Sequence, residues 1–163
     1  MALKRLLQIG VIVEDADKTK QILTEKFGFT DWAPDEGLGG KLTDYAVNGV
    51  PAKLDNNVKF CTAFGLEWEF IEPKSGPLKT WLEEHGPGIH HIAVIDDRSY
   101  GEFRDLCKEL SGKDVFLNGT APSIGMDYSY YDLSKEIGMF VEVYNEERVH
   151  TSGFNIDAPS GEL

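Results

Sequence analysis

The chain has few cysteines, no long apolar run and a shortage of basic residues, and each of these features excludes a class of protein. Its 163 residues include only two cysteines, Cys61 and Cys107, which lie too far apart for a CxxC metal or redox motif. The two thiols are therefore predicted to be reduced and buried, as is typical of a cytoplasmic protein.

The apolar runs of the sequence fall well short of the ~18 residues that a membrane-spanning helix needs, so no membrane span is predicted. The first residues include Lys4 and Arg5 but neither an apolar stretch nor a small-residue cleavage site. No signal peptide is therefore predicted, and a cytoplasmic location is expected.

Acidic residues outnumber basic residues by 28 to 16, which gives a formal net charge of −12 at pH 7. This charge disfavours nucleic acids and anionic membrane surfaces as partners. The hydrophobic content of 41% is typical of a globular chain rather than a disordered one. The length suits one domain, or two small modules that share a core.

The sequence is organised around residues 88–95, where two adjacent histidines lead into an alternating apolar run. Alternation with a period of two predicts a half-buried β-strand. On a regular strand His91 shares a face with Ala93 and Ile95, whereas the side chain of His90 faces away from it. A histidine on such a strand is most often solvated or satisfied by a neighbour, so His91 alone does not indicate a function.

An internal repeat changes this interpretation, because the order strand, helix, strand, strand, strand occurs twice. Residues 8–12 align with residues 91–95 at an offset of 83 positions, and residues 68–71 align with residues 141–144. The sequence therefore predicts an α+β protein made of two βαβββ modules, residues 1–73 and 89–146. A connecting helix and linker occupy residues 74–88, and residues 147–163 form a polar tail.

Local signals add detail to the first module. Asn48 and Gly49 predict a type I′ turn between two strands, and Pro51 predicts that the second of these strands lies at an edge. The helix that follows the first strand has a predicted apolar stripe of Ile22, Leu23 and Phe27.

Each module begins with a strand that carries one donor residue and ends with a strand that carries one glutamate: Gln8, Glu69, His91 and Glu142. If the modules pack as a pseudo-twofold pair, these four side chains converge. An imidazole, an amide oxygen and two carboxylates suit a borderline or hard divalent cation with open positions for water or substrate. The alternative interpretation is that Glu69 and Glu142 are solubilising charges on edge strands, but four donors at matched repeat positions favour the metal site.

Because of this repeat and these four donor positions, residues 5–146 resemble the vicinal oxygen chelate superfamily. That superfamily includes glyoxalase I, methylmalonyl-CoA epimerase, extradiol dioxygenases and the bleomycin- and fosfomycin-resistance proteins. The resemblance implies a cupped, incomplete mixed β-barrel around one divalent metal ion, whether Zn, Co, Ni, Mn or Mg. It also implies that the metal ligands are Gln8, Glu69, His91 and Glu142, and that two chains pair as a homodimer.

Residues 71–92 look most like the methylmalonyl-CoA epimerases, because a short helix with Pro77 in its first turn precedes a Gly-Ile-His-His strand. The epimerases carry histidine at the position of Gln8, whereas the set glutamine, glutamate, histidine, glutamate is similar to that of eukaryotic-type glyoxalase I. Glyoxalase I usually carries an arginine for the glutathione carboxylate where this chain has Ile12. A single histidine among the four donors also departs from the two-histidine, one-carboxylate site of the dioxygenases.

The resemblance implies removal of a proton beside a carbonyl group, with the metal acting as a Lewis acid that stabilises the enediolate. Glu142 is the candidate base, and Asp44 and Glu67 are the candidates for a second acid. The first interpretation is an epimerase or isomerase of a small 2-substituted acyl-CoA or 2-oxo substrate. Two alternatives stay open: a glyoxalase I-type lactoylglutathione lyase, and a metal-free small-ligand-binding protein of the resistance type.

Overall fold

The structure is a computed structural model that describes residues 3–34, 42–122 and 125–144. The predicted tail, residues 147–163, lies outside the described residues. The strands are β1 (Leu3–Ile12), β2 (Asp31–Trp32), β3 (Thr43–Val47), β4 (Val50–Pro51), β5 (Asn56–Ala63), β6 (Leu66–Pro73), β7 (Gly88–Asp96), β8 (Leu117–Ala121), β9 (Met126–Leu133) and β10 (Met139–Tyr144). The helices are α1 (Ala16–Phe27), α2 (Gly76–His85), α3 (Tyr100–Ser111) and α4 (Ser134–Ile137).

The described strands join one open mixed sheet in the order β2-β5-β6-β1-β7-β10-β9-β8-β3-β4. The strands β1 and β7, which open the two repeats, lie side by side and antiparallel at the centre. The last strand of each repeat pairs in parallel with the first, β6 with β1 and β10 with β7. The predicted α+β class is confirmed, and the sheet stays open rather than closing into a barrel.

The hairpin of β3 and β4 crosses to the second half of the sheet, where β3 pairs with β8. The predicted type I′ turn forms, because φ is 49° at Asn48 and 75° at Gly49. Pro51 lies on the edge strand β4, as predicted. The crossing buries Tyr45 among side chains of β1, β7, β8, β9 and β10, a contact that the alignment of the two repeats does not reveal.

The predicted apolar stripe of α1 is only partly covered by the sheet. Leu23 packs against the cluster under this helix, and Ala16 is fully buried. Ile22 is 44% exposed and Phe27 is 68% exposed, so the sheet leaves these two residues of the stripe largely uncovered. The sequence pattern identified one face of the helix, but it could not show how much of that face the sheet covers.

The connecting helix α2 packs on the central strands. Leu78 and Leu82 are buried against Ile12 of β1 and Ile71 of β6. Strand β7 follows α2 directly and pairs with β1, so its two histidines lie close to the middle of the sheet.

The two faces of the sheet differ in what covers them. Helices α1 and α3 cover apolar clusters on one face, whereas α2 packs on Ile12 and Ile71 of the other face, which is also the face of the donor residues. The other face carries what we call the tyrosine cluster, namely Tyr45, Tyr128, Tyr130 and Tyr144, together with apolar residues such as Leu7 and Ala93. In the described part of the chain, every helix is too short or too polar to cross a membrane.

Candidate metal centre

Four adjacent strands at the centre of the sheet each contribute one donor side chain. In the order β6, β1, β7 and β10 these are Glu69, Gln8, His91 and Glu142. Gly10 of β1 pairs with Glu69 on one side and with His91 on the other. Side chains two residues apart on a strand share a face, so Gln8 points to the same side of the sheet.

The donor atoms converge on Nε2 of His91. Glu69 Oε2 lies 3.2 Å from this atom and Glu142 Oε2 lies 3.4 Å from it. The amide oxygen of Gln8 lies 3.3 Å from it. Gln8, His91 and Glu142 are buried and Glu69 is nearly so, which means that water screens these charges weakly.

The negative charge of this cluster exceeds the positive charge that the protein supplies. Glu69 Oε2 and Glu142 Oε2 are buried and accept no well-aligned hydrogen bond within the described residues. Burial lowers the pKa of His91, but the interactions with Glu142 and then Glu69 outweigh it and raise that pKa to about 9. Burial raises the pKa of Glu142 against the opposing effect of His91. Two carboxylates therefore share one imidazole.

The arrangement fits a divalent cation. Ligand atoms lie about 2.0–2.2 Å from such an ion, which places neighbouring ligand atoms roughly 3.0–3.5 Å apart. The spacings of 3.2 to 3.4 Å around His91 Nε2 fall in this range. A divalent cation would balance both carboxylates and leave His91 neutral, the form in which imidazole binds metals. Glu69, His91 and Glu142 thus form a candidate site to which Gln8 can add a fourth donor.

A second group of carboxylates, Asp15, Asp17 and Glu72, is equally compact but differs in its surroundings. Asp15 and Asp17 are exposed. The Lys59 ammonium pairs with Asp17 at 2.9 Å, and Lys74 pairs with Glu72. Two of the three carboxylates are thus paired with lysine ammonium groups, and the third, Asp15, caps helix α1 by accepting a hydrogen bond from a backbone N–H. These partners give the group a structural role without a metal ion.

Glu67 sets the orientation of the Gln8 amide. The two residues are paired across β1 and β6, and Gln8 Nε2 donates a hydrogen bond of 2.6 Å to Glu67 Oε1. The amide oxygen is therefore the atom that remains for the donor cluster. Burial raises the pKa of Glu67 to about 7, against the lowering by the Gln8 hydrogen bond.

His90 lies beside His91 and not on the opposite face, so the prediction that it faces away is wrong. The Nδ1 atoms of the two rings are 3.2 Å apart. The cause is a β-bulge, since β1 pairs Gly10 with His91 but the next residue, Val11, with Ile89. His90 is the extra residue of this bulge, and a bulge breaks the alternation of side chains.

His90 is suited to fix the tautomer of His91. Burial and then the neighbouring His91 lower the pKa of His90 to about 3, so the ring is neutral. The ring of Phe140 stacks on it with centroids 4.4 Å apart. A neutral His90 can accept the Nδ1 proton of His91, which leaves the lone pair of His91 Nε2 free for a cation.

Two tyrosines that the sequence interpretation did not single out also contact the donor atoms. The hydroxyl of Tyr130 lies 3.3 Å from His91 Nε2, and the hydroxyl of Tyr144 donates to Gln8 Oε1 at 3.4 Å. Tyr130 is directly across from Glu142 in the β9–β10 pair. The signal in the sequence that could have identified Tyr144 is the alternation of side chains along a strand, which puts Tyr144 on the same face as Glu142.

Asp44 lies outside the donor cluster. It is exposed, has a φ of 52° and accepts a hydrogen bond from the hydroxyl of Thr43. A register shift between Thr43 and Ala46 interrupts the pairing of β3 with β8 here, and Tyr45 is the residue that becomes buried. Among the described residues no hydrogen bond or ion pair links Asp44 to the cluster, so Glu67 is the candidate for a second acid that reaches it.

Comparison with known proteins places this chain in a family. The sequence model of the glyoxalase/bleomycin resistance protein/dioxygenase superfamily matches residues 7–113. This match confirms the resemblance found in the sequence. None of the curated proteins matches the chain.

Several solved structures share the fold at low sequence identity. A variant of Streptomyces coelicolor methylmalonyl-CoA epimerase in complex with 2-nitronate-propionyl-CoA is 19% identical, with a TM-score of 0.58 over 88% of this chain and 95% of that chain. The hypothetical protein BH1468 from Bacillus halodurans C-125 is 17% identical, with a TM-score of 0.58 over 87% and 94% of the two chains. The epimerase from Mycobacterium tuberculosis is 12% identical, with a TM-score of 0.54 over 88% of each chain.

Proposed function

Because this chain belongs to the glyoxalase/bleomycin resistance protein/dioxygenase superfamily, we propose that it is a metal-dependent epimerase or isomerase. Its reaction would remove a proton from a carbon next to a carbonyl group and return it to the same or the neighbouring carbon. The observation that carries this proposal is the approach of Gln8, Glu69 and Glu142 oxygen atoms to within 3.4 Å of His91 Nε2.

A divalent cation held by Gln8, Glu69, His91 and Glu142 would supply Lewis acidity to the oxygen atoms beside the acidic carbon. We assign Glu142 the role of base, because its buried Oε2 lies 3.4 Å from His91 Nε2 and accepts no well-aligned hydrogen bond from the described residues. Glu67 is our candidate for the second acid, because among the two candidates it is the one hydrogen-bonded to a donor residue.

The substrate that we favour is a small 2-substituted acyl thioester or a 2-oxo compound. The shared fold with methylmalonyl-CoA epimerases supports the acyl thioester. A lactoylglutathione lyase is the alternative that the donor set itself supports. Against it, Ile12 occupies the place of the expected arginine and is fully buried under α2, where it could not contact a glutathione carboxylate.

The proposal is tested by loading the purified protein with Co²⁺, Ni²⁺ or Zn²⁺ and following exchange of the substrate α-proton with deuterium from solvent by NMR. Methylmalonyl-CoA, simpler acyl thioesters and 2-oxo acids form the substrate panel. We expect exchange that needs the metal, is abolished in Glu142→Gln and is unchanged in Glu84→Gln, a variant of an exposed residue on α2.

Absence of exchange on the whole panel, with stoichiometric metal bound, would contradict the proposal. Turnover of the methylglyoxal–glutathione hemithioacetal would instead favour the lyase. Binding of a small ligand by protein that takes up no divalent ion would favour a metal-free binding protein.

We further propose a cytoplasmic homodimer. The free, buried thiols of Cys61 and Cys107 support a reducing compartment. Light scattering coupled to size-exclusion chromatography would measure twice the chain mass of 18.2 kDa for a dimer.

A further inference from the structure

The hydroxyl of Tyr130 lies at the donor cluster without a role in the proposed reaction. Its hydrogen-bond partner in the described part of the chain is His91 Nε2, 3.3 Å away. The tyrosine ring meets the imidazole edge to face, with centroids 4.6 Å apart and an angle of 81° between the planes. Tyr130 is 6% exposed, so this hydroxyl has little access to bulk water.

A cation in the cluster would take this hydrogen-bond partner away from Tyr130. Once the lone pair of His91 Nε2 binds a cation, this nitrogen can neither donate a proton to the phenol oxygen nor accept the phenol proton. The phenol would then be a buried donor without an acceptor, which proteins rarely tolerate. Packing keeps it in place, because Tyr130 is held between the His91 ring and Tyr128, whose ring lies edge to face at 5.9 Å.

Charge favours the phenol as a hydrogen-bond donor and not as a further metal ligand. Glu69 and Glu142 already supply the two negative charges that balance a divalent cation. A phenolate would add an uncompensated charge to a buried site, at a high cost in free energy. Among the described residues no carboxylate oxygen is hydrogen-bonded to this hydroxyl, and the acceptor that fits is an oxygen atom in an open position of the metal centre.

We propose that Tyr130 is a catalytic residue whose hydroxyl donates a hydrogen bond to that oxygen atom, which belongs to water before the reaction and to the substrate carbonyl during it. This inference rests on the proposed metal-dependent function. A hydrogen bond strengthens as its acceptor gains negative charge, so Tyr130 stabilises the substrate after its α-proton has left more than before.

Tyr144 differs from Tyr130 in what its hydroxyl contacts. It donates to Gln8 Oε1, a ligand oxygen with a second lone pair that remains available when Gln8 binds a cation. Tyr144 therefore keeps its partner in the metal-bound protein and acts as a positioning residue for Gln8. The two tyrosines share a face of the sheet but have separate roles.

The test compares Tyr130→Phe with Tyr131→Phe, which removes the hydroxyl of the adjacent tyrosine on the opposite face. Co²⁺ binding is measured by calorimetry and by visible absorption of the bound ion. The Co²⁺-loaded proteins are then titrated with acetohydroxamate, a small chelator with two oxygen donors. We expect all three proteins to bind one Co²⁺ with affinities within about threefold, because Tyr130 is not a ligand.

Acetohydroxamate should bind Tyr130→Phe about tenfold or more weakly than the wild type and Tyr131→Phe, as expected for loss of one hydrogen bond to a charged acceptor. Equal acetohydroxamate affinity in all three proteins would overturn the proposal, as would loss of Co²⁺ binding in Tyr130→Phe, which would make the phenol a ligand. Failure of the wild type to bind Co²⁺ would overturn the metal site itself and the role of Tyr130 with it.

A second measurement uses the wild-type protein alone and does not depend on the folding of a variant. In a crystal structure of the Co²⁺ and acetohydroxamate complex, the Tyr130 hydroxyl should lie about 2.5–3.0 Å from a hydroxamate oxygen. A separation beyond about 3.5 Å would contradict the proposed hydrogen bond.

Discussion

Gly10 lies directly across from His91 in the β1–β7 pair, and a methyl group on Gly10 would lie 1.8 Å from Cε1 of the imidazole. All three nearest atoms to such a group belong to the His91 ring. The ring thus occupies the space that a side chain at position 10 would need. The candidate metal centre therefore depends on this glycine as well as on the four donor residues.

Substitution Gly10→Ala should displace the His91 ring and remove Co²⁺ binding. The ring is fully buried, so the added methyl group must also strain the sheet. Overpacking of this kind costs roughly 1–3 kcal/mol of the free energy of unfolding. Co²⁺ titration and urea unfolding of the metal-free protein measure the two effects separately.

The matched control is Gly101→Ala on helix α3, where an added methyl group meets nothing within 4 Å. This variant should bind Co²⁺ like the wild type and gain up to about 1 kcal/mol in stability, since alanine favours a helix over glycine. Wild-type Co²⁺ affinity in Gly10→Ala would show that the His91 ring is not needed where the structure places it.

Metal binding should stabilise the folded protein. At a free Co²⁺ concentration of about 100 times Kd, the expected gain is about 2.7 kcal/mol. For a chain of this size, that corresponds to a rise in Tm of roughly 5–10 °C in differential scanning calorimetry. Glu69→Gln, which removes one of the two charged oxygen ligands, should lose most of this rise, whereas Glu84→Gln on the exposed surface should keep it.

Replacement of His90 should show whether metal binding depends on the packing of this ring or on its hydrogen bond to His91. His90→Phe keeps a ring that can stack on Phe140 but removes the acceptor for the His91 Nδ1 proton. Loss of such an acceptor typically weakens metal binding about 10- to 100-fold. His90→Asn, whose side-chain oxygen can take the place of Nδ1, should recover part of the affinity in Co²⁺ titrations. Equal affinity of the wild type and His90→Phe would rule out this role.

The burial of the Cys107 thiol predicts that the folded protein loses stability at alkaline pH. Burial raises the pKa of its thiol to about 12, whereas a cysteine in an unfolded chain ionises near 8.5. The folded-state pKa is the higher one, so the contribution of Cys107 is fully present below about pH 8.5 and is lost as the pH rises toward 12.

Urea unfolding of the wild type and Cys107→Ala at pH 7.5 and 9.5 measures this contribution. The wild type should lose roughly 1.4 kcal/mol more than the variant between the two pH values. The same loss in both proteins would mean that Cys107 is not the group responsible. The native thiol should also react slowly with a disulfide reagent at pH 8, because it is 1% exposed.

The repeat in the sequence was sufficient to predict which strands carry the donors. The strands containing Gln8 and His91 are neighbours because each opens one repeat, and Glu69 and Glu142 lie on strands that pair in parallel with them. Alternation along each strand then determined which side chains share a face. These features depend on local periodicity and on symmetry between the two halves, both of which can be seen in a single sequence.

The features that the sequence did not reveal depend on contacts between distant strands. The bulge that brings His90 beside His91 arises from the register of β1 against β7, which periodicity does not encode. The crossing of β3 to β8, which buries Tyr45 and leaves Asp44 exposed, has no counterpart in the second repeat. The contact of Tyr130 with His91 depends on both strands lying next to β10.

The central claim is that Gln8, Glu69, His91 and Glu142 hold one divalent cation. The measurement that decides it is a crystal structure of Co²⁺-loaded protein with anomalous diffraction recorded on both sides of the cobalt absorption edge. We predict one anomalous peak about 2.0–2.2 Å from Gln8 Oε1, Glu69 Oε2, His91 Nε2 and Glu142 Oε2. An anomalous map without a peak among these four atoms would contradict the claim.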